Sequence, residues 1–433
     1  HLPVSRDQVG LVAWKDSKEE VRALMASSNY EDGLGLGSPV REYRFKNRET
    51  LDAFSGQPGS IGTLTLGDMD RDGDLDLFMG TRVLPGRYPE PPSSLIFMNQ
   101  DGAFVLDEVR SKPFEKLGMV RSAHFMDDDR DGVPELFVSL EWGSIRYFKY
   151  VSSQWVDQSL ERGLNEKLGW WSGLAFGDFD GNGAVDFVAG NLGLNGPHMQ
   201  DIQHPVRLYY GDLDRNQMTD IVRAHYEEEI GSYAPDLQLG ALAQGIPVLS
   251  KYYKSHLKFG QQSVDQVFNE LGDNPSYLEA NWSQTTLFLN HNGRYQAIPL
   301  PQEAQWSPVF GVVSGDFDGD GHFDLFLAQN NFQFESTTPR MDAGFGLICL
   351  GDGHGQFTAM PHFRSGIKIL GEQRGAASGD WNHDGRLDLI VGQNNGATQL
   401  LTNQSAEPGI SVRLIGSRLN PWAIGAQIRL IGD

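Results

Sequence analysis

Short apolar runs alternate with polar, glycine-rich segments along most of the chain. Residues 77–79, 187–189, 325–327 and 389–391 are such runs, and each follows a cluster of acidic residues and Gly. Apolar runs of this length, bounded by turn-forming residues, are typical of short buried β-strands. The pattern therefore predicts an all-β protein.

A second pattern lies between these runs: an apolar strand, a tight turn that contains Gly, and an aromatic residue. It occurs at 96–104, 288–295 and 349–357. Asn-Gly and Asp-Gly pairs between apolar runs favour the tight turns of β-hairpins, because these residues adopt positive φ at low cost. We expect each of these segments to form an antiparallel hairpin.

The acidic cluster is an internal repeat, and each of its six copies leads directly into an apolar strand. Strand–turn–strand units that recur in this way, and that cannot bury both faces alone, are typical of the four-stranded blades of a β-propeller. Six loops and one blade closed by the termini predict seven blades, with six or eight as alternatives. The loops begin at Asp68, Asp127, Asp178, Asp212, Asp316 and Asp380.

The repeat divides the chain into three parts. Residues 1–50 precede it, and we expect them to be partly helical, over 16–27, and to help to close the propeller. The propeller itself is predicted over 51–405. The tail, 406–433, alternates apolar and polar residues and is predicted to form a β-hairpin.

One long gap separates the fourth acidic loop from the fifth. Residues at about 227–284 show helical spacing, so a helical insertion into one blade is predicted there. Within it, Ser263 and Gln266 are spaced as a capping box, and Gly272 is a typical helix end.

Each acidic loop has carboxylate or amide side chains at its positions 1, 3, 5 and 9, and five of the six loops have Gly at position 6. Ca²⁺ binds about six to eight oxygen atoms, and a tightly curled loop can direct alternate side chains towards one ion. An EF-hand needs a Glu at position 12 and flanking helices, whereas these loops close at position 9 and continue into strands. Solvated acidic turns without metal are the alternative, which six copies in one register disfavour. The sequence therefore predicts up to six structural Ca²⁺ ions as the only cofactors.

The predicted ligands use side-chain oxygens at positions 1, 3, 5 and 9 and the backbone carbonyl at position 7. They are Asp68, Asp70, Asp72, Asp74 and Asp76 in loop 1; Asp127, Asp129, Asp131, Val133 and Glu135 in loop 2; Asp178, Asp180, Asn182, Ala184 and Asp186 in loop 3; Asp212, Asp214, Asn216, Met218 and Asp220 in loop 4; Asp316, Asp318, Asp320, His322 and Asp324 in loop 5; and Asp380, Asn382, Asp384, Arg386 and Asp388 in loop 6.

Composition restricts the partners of the protein. The 433 residues include 57 Asp and Glu against 35 Lys and Arg, a formal net charge of −22, which argues against nucleic acid and anionic membranes as partners. No apolar run approaches the length of about 18 residues that a membrane-spanning helix requires. The single cysteine, Cys349, excludes an intrachain disulfide. The chain begins at His1 without a leader, which we interpret as a processed or partial form.

The acidic loops and the strands that follow them resemble FG-GAP/VCBS repeats, the blade units of integrin-α-type β-propellers, across roughly 60–400. Residues 409–426, which begin Gly-Ile-Ser-Val-Arg-Leu, resemble the opening of the ASPIC/UnbV module. That module follows such repeats in the cartilage-acidic-protein-like family, and 300–311 also resembles bacterial members. The resemblance implies a secreted or cell-surface Ca²⁺-binding propeller that makes adhesive or matrix contacts.

Catalytic signatures are missing from the sequence: it has no HExxH motif, nucleophile elbow or phosphate-binding loop. His198, His204 and His225 form the nearest grouping of histidines and are interpreted as ordinary surface or core residues. Trp170 and Trp171 are predicted to belong to the core rather than to a sugar-stacking surface.

We therefore expect a non-enzymatic extracellular protein that binds another protein, a glycan or copies of itself. Two alternatives remain open from the sequence. One is a hydrolase or lyase with its active site at the propeller axis, beneath the helical insertion. The other is a self-assembling subunit of an extracellular filament or layer.

Overall fold

The computed structural model describes residues 7–15, 20–29, 38–54, 59–100, 102–197, 202–332, 340–410, 412–416, 420, 423–426 and 428. Within this part the chain is mostly β, with antiparallel sheets and short helices. No helix among these residues is long and apolar enough to cross a membrane.

Six sheets follow one another along the chain, and a further sheet is inserted into the fourth. Most have four strands in meander order, and their first strands are β1, β5, β9, β14, β22 and β26. Sheet 1 contains β1 (Gln8–Lys15), β2 (Val21–Ser27), β3 (Val40–Arg44) and β4 (Glu49–Asp52); sheet 2 contains β5 (Ser60–Gly67), β6 (Asp76–Val83), β7 (Leu95–Gln100) and β8 (Ala103–Leu106); sheet 3 contains β9 (Met119–Met126), β10 (Glu135–Gly143), β11 (Arg146–Val151), β12 (Gln154–Asp157) and β13 (Gly169–Trp170); sheet 4 contains β14 (Leu174–Gly177), β15 (Asp186–Ala189), β20 (Thr286–His291) and β21 (Arg294–Pro299); the inserted sheet contains β16 (Val206–Gly211), β17 (Asp220–Glu227), β18 (Ser232–Pro235) and β19 (Ser276–Ala280); sheet 5 contains β22 (Val309–Gly315), β23 (Asp324–Gln329), β24 (Leu347–Gly351) and β25 (Phe357–Ala359); and sheet 6 contains β26 (Glu372–Gly379), β27 (Asp388–Asn394) and β28 (Gln399–Leu401).

The helices are confined to the connections between strands. They are α1 (Glu108–Ser111), α2 (Leu239–Gly245), α3 (Leu249–Tyr252), α4 (His256–Gly260), α5 (Val264–Leu271) and α6 (His362–Ser365), with 3₁₀ turns at Lys112–Phe114 and Gln302–Gln305.

The first strand of each of the first five sheets contacts the first strand of the sheet that follows it. Glycines permit this close approach. A Cβ on Gly62 would lie 1.9 Å from the carbonyl oxygen of Val120, and one on Gly173 would lie 2.7 Å from that of Phe310. Sheets stacked face to face around their first strands are the blades of a β-propeller. The chain is a β-propeller, as predicted, and the number of blades stays a prediction.

The insertion lies between β15 and β20, which pair with each other directly. It contains the inserted sheet and helices α2–α5. It therefore begins earlier than the predicted residue 227, because β16 and β17 already belong to the inserted sheet. The capping box is confirmed: Ser263 Oγ accepts a hydrogen bond from the Gln266 backbone, and the Ser263 backbone donates to Gln266 Oε1. Gly272 ends α5 with φ 71°.

The helix predicted at 16–27 is wrong over its described part, 20–27; residues 16–19 lie outside the described residues. Residues 21–27 form β2, which pairs with β1 and β3. Leu24 and Ala26, two residues apart and so on one face of the strand, both pack in the core with Trp14 and Val40. The hairpin predicted over 406–433 is not supported, because the described residues of that tail contain no strand; residues 411, 417–419, 421, 422, 427 and 429–433 lie outside the described residues.

The outer face of sheet 6 is uncovered within the described part of the chain. Trp381, the second residue of acidic loop 6, is 70% exposed, whereas its counterparts Met69, Phe179 and Phe317 are buried between neighbouring sheets. Ile390 of β27 and Leu400 of β28 are also exposed.

Candidate metal-binding loops

All six acidic loops connect the first strand of a sheet to its second strand. In sheet 4, β14 ends at Gly177, the loop begins at Asp178, and β15 begins at the ninth loop residue, Asp186. The other loops follow the same rule in sheets 2, 3, 5 and 6 and in the inserted sheet, where β16 and β17 flank loop 4. The repeat thus places the same nine positions at the same point of each hairpin.

Positions 4 and 6 both have positive φ in every loop. Gly signalled position 6 in the sequence, but position 4 gave no such signal because it is Arg, Gly or His. A non-Gly residue rarely adopts positive φ, so these residues are held by the hydrogen bonds of the loop. The values are Arg71 65° and Gly73 93°, Arg130 62° and Gly132 82°, Gly181 73° and Gly183 84°, Arg215 64° and Gln217 69°, Gly319 84° and Gly321 89°, and His383 59° and Gly385 84°.

The position 9 carboxylate is buried and ties the loop to the sheet. Asp186 accepts hydrogen bonds from the backbone N–H of Phe179 (2.9 Å), at position 2, and from that of Asn290 (2.7 Å), on the third strand of the sheet. Asp76 and Asp324 make the same pair of contacts. This residue therefore has a role in holding the hairpin that does not depend on metal.

Positions 1 and 5 also accept hydrogen bonds within the loop. Asp178 Oδ2 accepts from Gly183 N (2.9 Å), at position 6, and Asn182 Oδ1 accepts from Ala184 N (2.6 Å), at position 7. Both contacts recur in all six loops. The backbone N–H groups that donate from position 7 include those of Val133, Met218, His322 and Arg386. The role of the position 7 backbone carbonyls as Ca²⁺ ligands stays a prediction.

Carboxylate oxygens of these loops also converge. In five loops, three carboxylates each place an oxygen within 4.8 Å of the others. Asp68 Oδ1 and Asp178 Oδ1, both at position 1, are buried and have no hydrogen-bond partner in the described part of the chain. The groups are Asp68, Asp70 and Asp72; Asp127, Asp129 and Glu135; Asp178, Asp180 and Asp186; Asp212, Asp214 and Asp220; and Asp316, Asp318 and Asp320.

Loop 6 differs from the other five because Asn382 stands at position 3. Its side-chain amide donates a hydrogen bond to Asp384 Oδ2 at 2.9 Å. Asp380 accepts from Gly385 N, and Asp388 accepts from Trp381 N, as in the other loops. The fold of this loop is therefore the same, with an amide in place of the position 3 carboxylate.

Burial is the main reason that the pKa values of several loop carboxylates are raised. Burial, with a smaller contribution from the charges of Asp70 and Asp74, raises the pKa of Asp76 to about 7, against two backbone hydrogen bonds that lower it. Burial and the charge of Asp72 raise the pKa of Asp74 to about 7. Burial raises the pKa of Asp186 and of Asp324 to about 6. A cation among these groups would offset both the free-energy cost of burying the ionised carboxylates and their mutual repulsion.

Loop 2 already contains a cationic group of the protein. The ammonium of Lys149, on β11, contacts Asp129 Oδ2, lies 2.9 Å from Asp131 Oδ2 and lies 3.3 Å from Glu135 Oε1. At the position of the third strand that is equivalent to Lys149, sheets 2, 4 and 5 have the apolar residues Met98, Leu289 and Leu350. The sequence pattern did not reveal Lys149, because it lies on a strand outside the repeat motif.

A cavity of about 500 Å³ lies between loops 2 and 3. Arg130, at position 4 of loop 2, donates to the carbonyl of Gly183 in loop 3. Buried Asp128 accepts from Tyr295 Oη (2.9 Å) and Arg162 Nη1 (3.1 Å). These contacts hold adjacent loops together. They could not be predicted from the sequence, because the residues that they join are far apart along the chain.

The residues weighed as catalytic candidates do not form one group among the described residues. His204 stacks on Tyr226 with ring centroids 3.9 Å apart, and His225 Nδ1 lies 2.6 Å from Asp236 Oδ1, both within the insertion. His198 lies outside the described residues. Trp171 is fully buried in the core, as predicted.

No family model and no curated protein matches the chain. A solved structure, "Structure of Dos1 propeller", is similar to it, with 10% sequence identity over 95% of this chain and 74% of that chain and a TM-score of 0.37.

Proposed function

We propose that the protein is a calcium-binding β-propeller of the FG-GAP/VCBS type. One observation carries the proposal: in five loops, oxygens of three carboxylates converge within 4.8 Å, and buried oxygens of Asp68 and Asp178 have no hydrogen-bond partner among the described residues. Converging anions repel one another in a partly buried site, and a cation turns this repulsion into attraction.

The donor set fits Ca²⁺. Loop 3 offers carboxylate oxygens from Asp178, Asp180 and Asp186 and an amide oxygen from Asn182. Hard oxygen donors favour Ca²⁺ or Mg²⁺ over Zn²⁺, which prefers Cys and His. When bound, Ca²⁺ would supply only charge neutralisation and a fixed loop conformation, so its role is structural.

The biological role that we propose is adhesion or binding outside the cell or at its surface, without enzymatic activity. The support is the resemblance of the acidic loops, and of 409–426, to secreted and cell-surface propeller proteins. A protein or a glycan is the proposed partner.

Self-assembly is a second candidate function, which the uncovered face of sheet 6 favours. Exposed apolar patches on a folded protein are frequent sites of protein–protein contact. Trp381, Ile390 and Leu400 are exposed there, and a second copy of the chain is the occupant that we propose.

Chelation tests the calcium proposal. We expect purified protein dialysed against EGTA to melt at least several degrees lower than protein in CaCl₂ at about 100 times the Kd found by calorimetry, where each bound ion adds about 2.7 kcal/mol to the free energy of unfolding. Calorimetric titration with CaCl₂ should show binding that Asp316→Asn with Asp318→Asn reduces by about one ion. The matched control is Asp352→Asn, an acidic residue in a hairpin turn outside the loops. Equal melting temperatures with and without Ca²⁺, and no binding heat, would refute the proposal.

A further inference from the structure

Three arginines from different sheets meet at the centre of the propeller. Arg121 lies on β9 of sheet 3, and its guanidinium faces the ring of Phe310, on β22 of sheet 5, at 5.8 Å. Arg374, on β26 of sheet 6, lies over the same ring at 4.0 Å. Sheets 3 and 6 are not neighbours in the ring, so their side chains can meet only near the axis.

All three arginines lie near carboxylates, but only Arg82 and Arg374 are hydrogen-bonded to one. Arg82 Nη2 lies 2.8 Å from Glu141 Oε2, and the hydroxyl of Tyr88 donates to Glu141 Oε1 at 2.9 Å. Arg374 Nη2 lies 2.9 Å from Glu372 Oε1. These pairs fix the positions of Arg82 and Arg374.

Arg121 is different, because its guanidinium donates no hydrogen bond to any described residue. Its nearest carboxylate oxygen, Glu141 Oε2, is 3.7 Å from Nη1 and is already bound by Arg82. The side chain of Arg121 is 25% exposed, so water reaches it at the axis. Burial and the charge of Arg82 lower the pKa of Arg121 to about 10, and Arg374 contributes in the same direction. The guanidinium of Arg121, which has five N–H donors, thus lies near two other arginines and has no hydrogen-bond acceptor among the described residues.

The insertion packs beside this place. Val206, Leu208 and Ala280 of the inserted sheet pack on Met119 and Trp142. Met119 is two residues from Arg121, and Trp142 follows Glu141, so the apolar contact lies beside the arginines. Apolar surroundings on one side strengthen the attraction between a guanidinium and an anion.

We propose that the axial arginines Arg82, Arg121 and Arg374 form a binding site for a small oxoanion or a carboxylate group, with Arg121 as the main donor. A guanidinium binds the planar edge of a carboxylate, or two oxygens of a sulfate or phosphate, through two parallel N–H groups. The ligand would supply the acceptors that the protein does not provide. The site is independent of the acidic loops, because none of the three arginines belongs to a loop.

Sulfate is the first probe, since it does not precipitate Ca²⁺ at millimolar concentration, and acetate is the probe for carboxylates. We expect calorimetric titration of the full chain with Na₂SO₄, at constant ionic strength set with NaCl, to show saturable binding. Arg121→Gln should weaken this binding by about tenfold or more, as expected for the loss of charged hydrogen bonds. Arg374→Gln should weaken it in the same direction. Arg41→Gln, at an exposed pair in sheet 1, is the matched control and should leave it unchanged.

Circular dichroism and melting in NaCl show whether each variant is folded. If Arg121→Gln does not fold, Arg374→Gln and Arg121→Lys, which keeps the charge but loses the planar fork, decide the question. Binding that saturates for acetate but not for sulfate would assign the site to carboxylates. Equal affinity in the wild type, Arg121→Lys and Arg374→Gln, or no saturable binding of either probe, would overturn the proposal.

Discussion

At the scale of single residues, the acidic loops depend as much on backbone contacts as on charge. Asp178 and Asp186 each accept a backbone N–H with Oδ2, and Asp186 accepts a second N–H with Oδ1. An unpaired buried N–H costs roughly 1–3 kcal/mol, so these aspartates stabilise the hairpin with or without an ion. Replacing a position 9 carboxylate therefore tests the hairpin as well as any metal, and position 3 variants separate the two roles better.

Gln217 is the one non-Gly residue at position 6. Its φ of 69° strains a side chain that has a Cβ. We expect Gln217→Gly to raise the free energy of unfolding by about 0.5–1 kcal/mol, measured by urea titration. Gly321→Gln is the reverse control: its φ is 89° and a Cβ there meets nothing within 4 Å, so a loss of similar size should come from strain alone. A more stable Gly321→Gln variant would contradict this explanation.

The pair of His225 and Asp236 should make the stability of the insertion depend on pH. Burial lowers the pKa of His225, but the hydrogen bond and charge of Asp236 outweigh this, so its pKa is raised. The stabilisation is therefore complete below the pKa of the unfolded state, about 6.5, and is lost as pH rises through the folded pKa. His225→Gln should lower the melting temperature by a few degrees at pH 5.5 and by less at pH 8.5.

The exposed His256→Gln variant is the control for that pH series and should follow the wild type. A deficit of His225→Gln that is constant with pH would show that packing, and not charge, connects His225 to Asp236.

At the scale of elements, the six hairpins share one loop geometry but not one means of neutralising charge. Loops 1, 3 and 5 concentrate carboxylates, whereas loop 2 has the ammonium of Lys149 among Asp129, Asp131 and Glu135. The same sheet thus supplies both the acidic loop and a cation from its third strand. A compact ammonium can substitute for a bound ion, since it carries charge and donates to several carboxylates at once.

Lys149→Met tests this substitution, because Met98 occupies the corresponding position in sheet 2. Without the ammonium, the carboxylates of loop 2 lose their countercharge, so we expect a lower melting temperature in EGTA and one additional Ca²⁺ bound per chain in calorimetric titration. Lys251→Met, at an exposed position of α3, is the control. An unchanged number of ions would contradict the substitution.

At the scale of the whole molecule, the glycine-lined contacts between first strands hold the sheets together. Gly62, Gly173 and Gly311 each approach the next sheet closely, whereas a Cβ on Gly375, in sheet 6, meets nothing within 4 Å among the described residues. The first five sheets therefore have a neighbour on the following side, and the described part of the chain leaves that side of sheet 6 uncovered.

The uncovered face should promote association between copies of the chain. We expect the mass from size-exclusion chromatography with light scattering to rise with concentration for the wild type, because burial of Trp381 and Ile390 is favourable by about 25 cal/mol per Å². Trp381→Ser should abolish that rise. Leu257→Ser, an exposed apolar residue of α4 in the insertion, should not. A wild-type protein that stays monomeric at every concentration would refute self-association.

The sequence by itself determined the repeat, the strands that follow each loop, the fold class and the capped helix at Ser263. These features are local: turn glycines, apolar runs and caps act over a few residues. It did not determine that 21–27 would be a strand, because the apolar residues of that segment satisfy two periodicities and pairing with β1 and β3 selects one.

Only the tertiary structure brought Lys149 into loop 2, arginines of three sheets to the axis, and the inserted sheet against Trp142. Each of these contacts joins residues that are distant in sequence, and their side chains carry no positional signal of their own. The spacing of the acidic residues specifies where a cation can bind. The packing of the sheets decides which charges lie close enough to interact, since electrostatic energy depends on distance and burial.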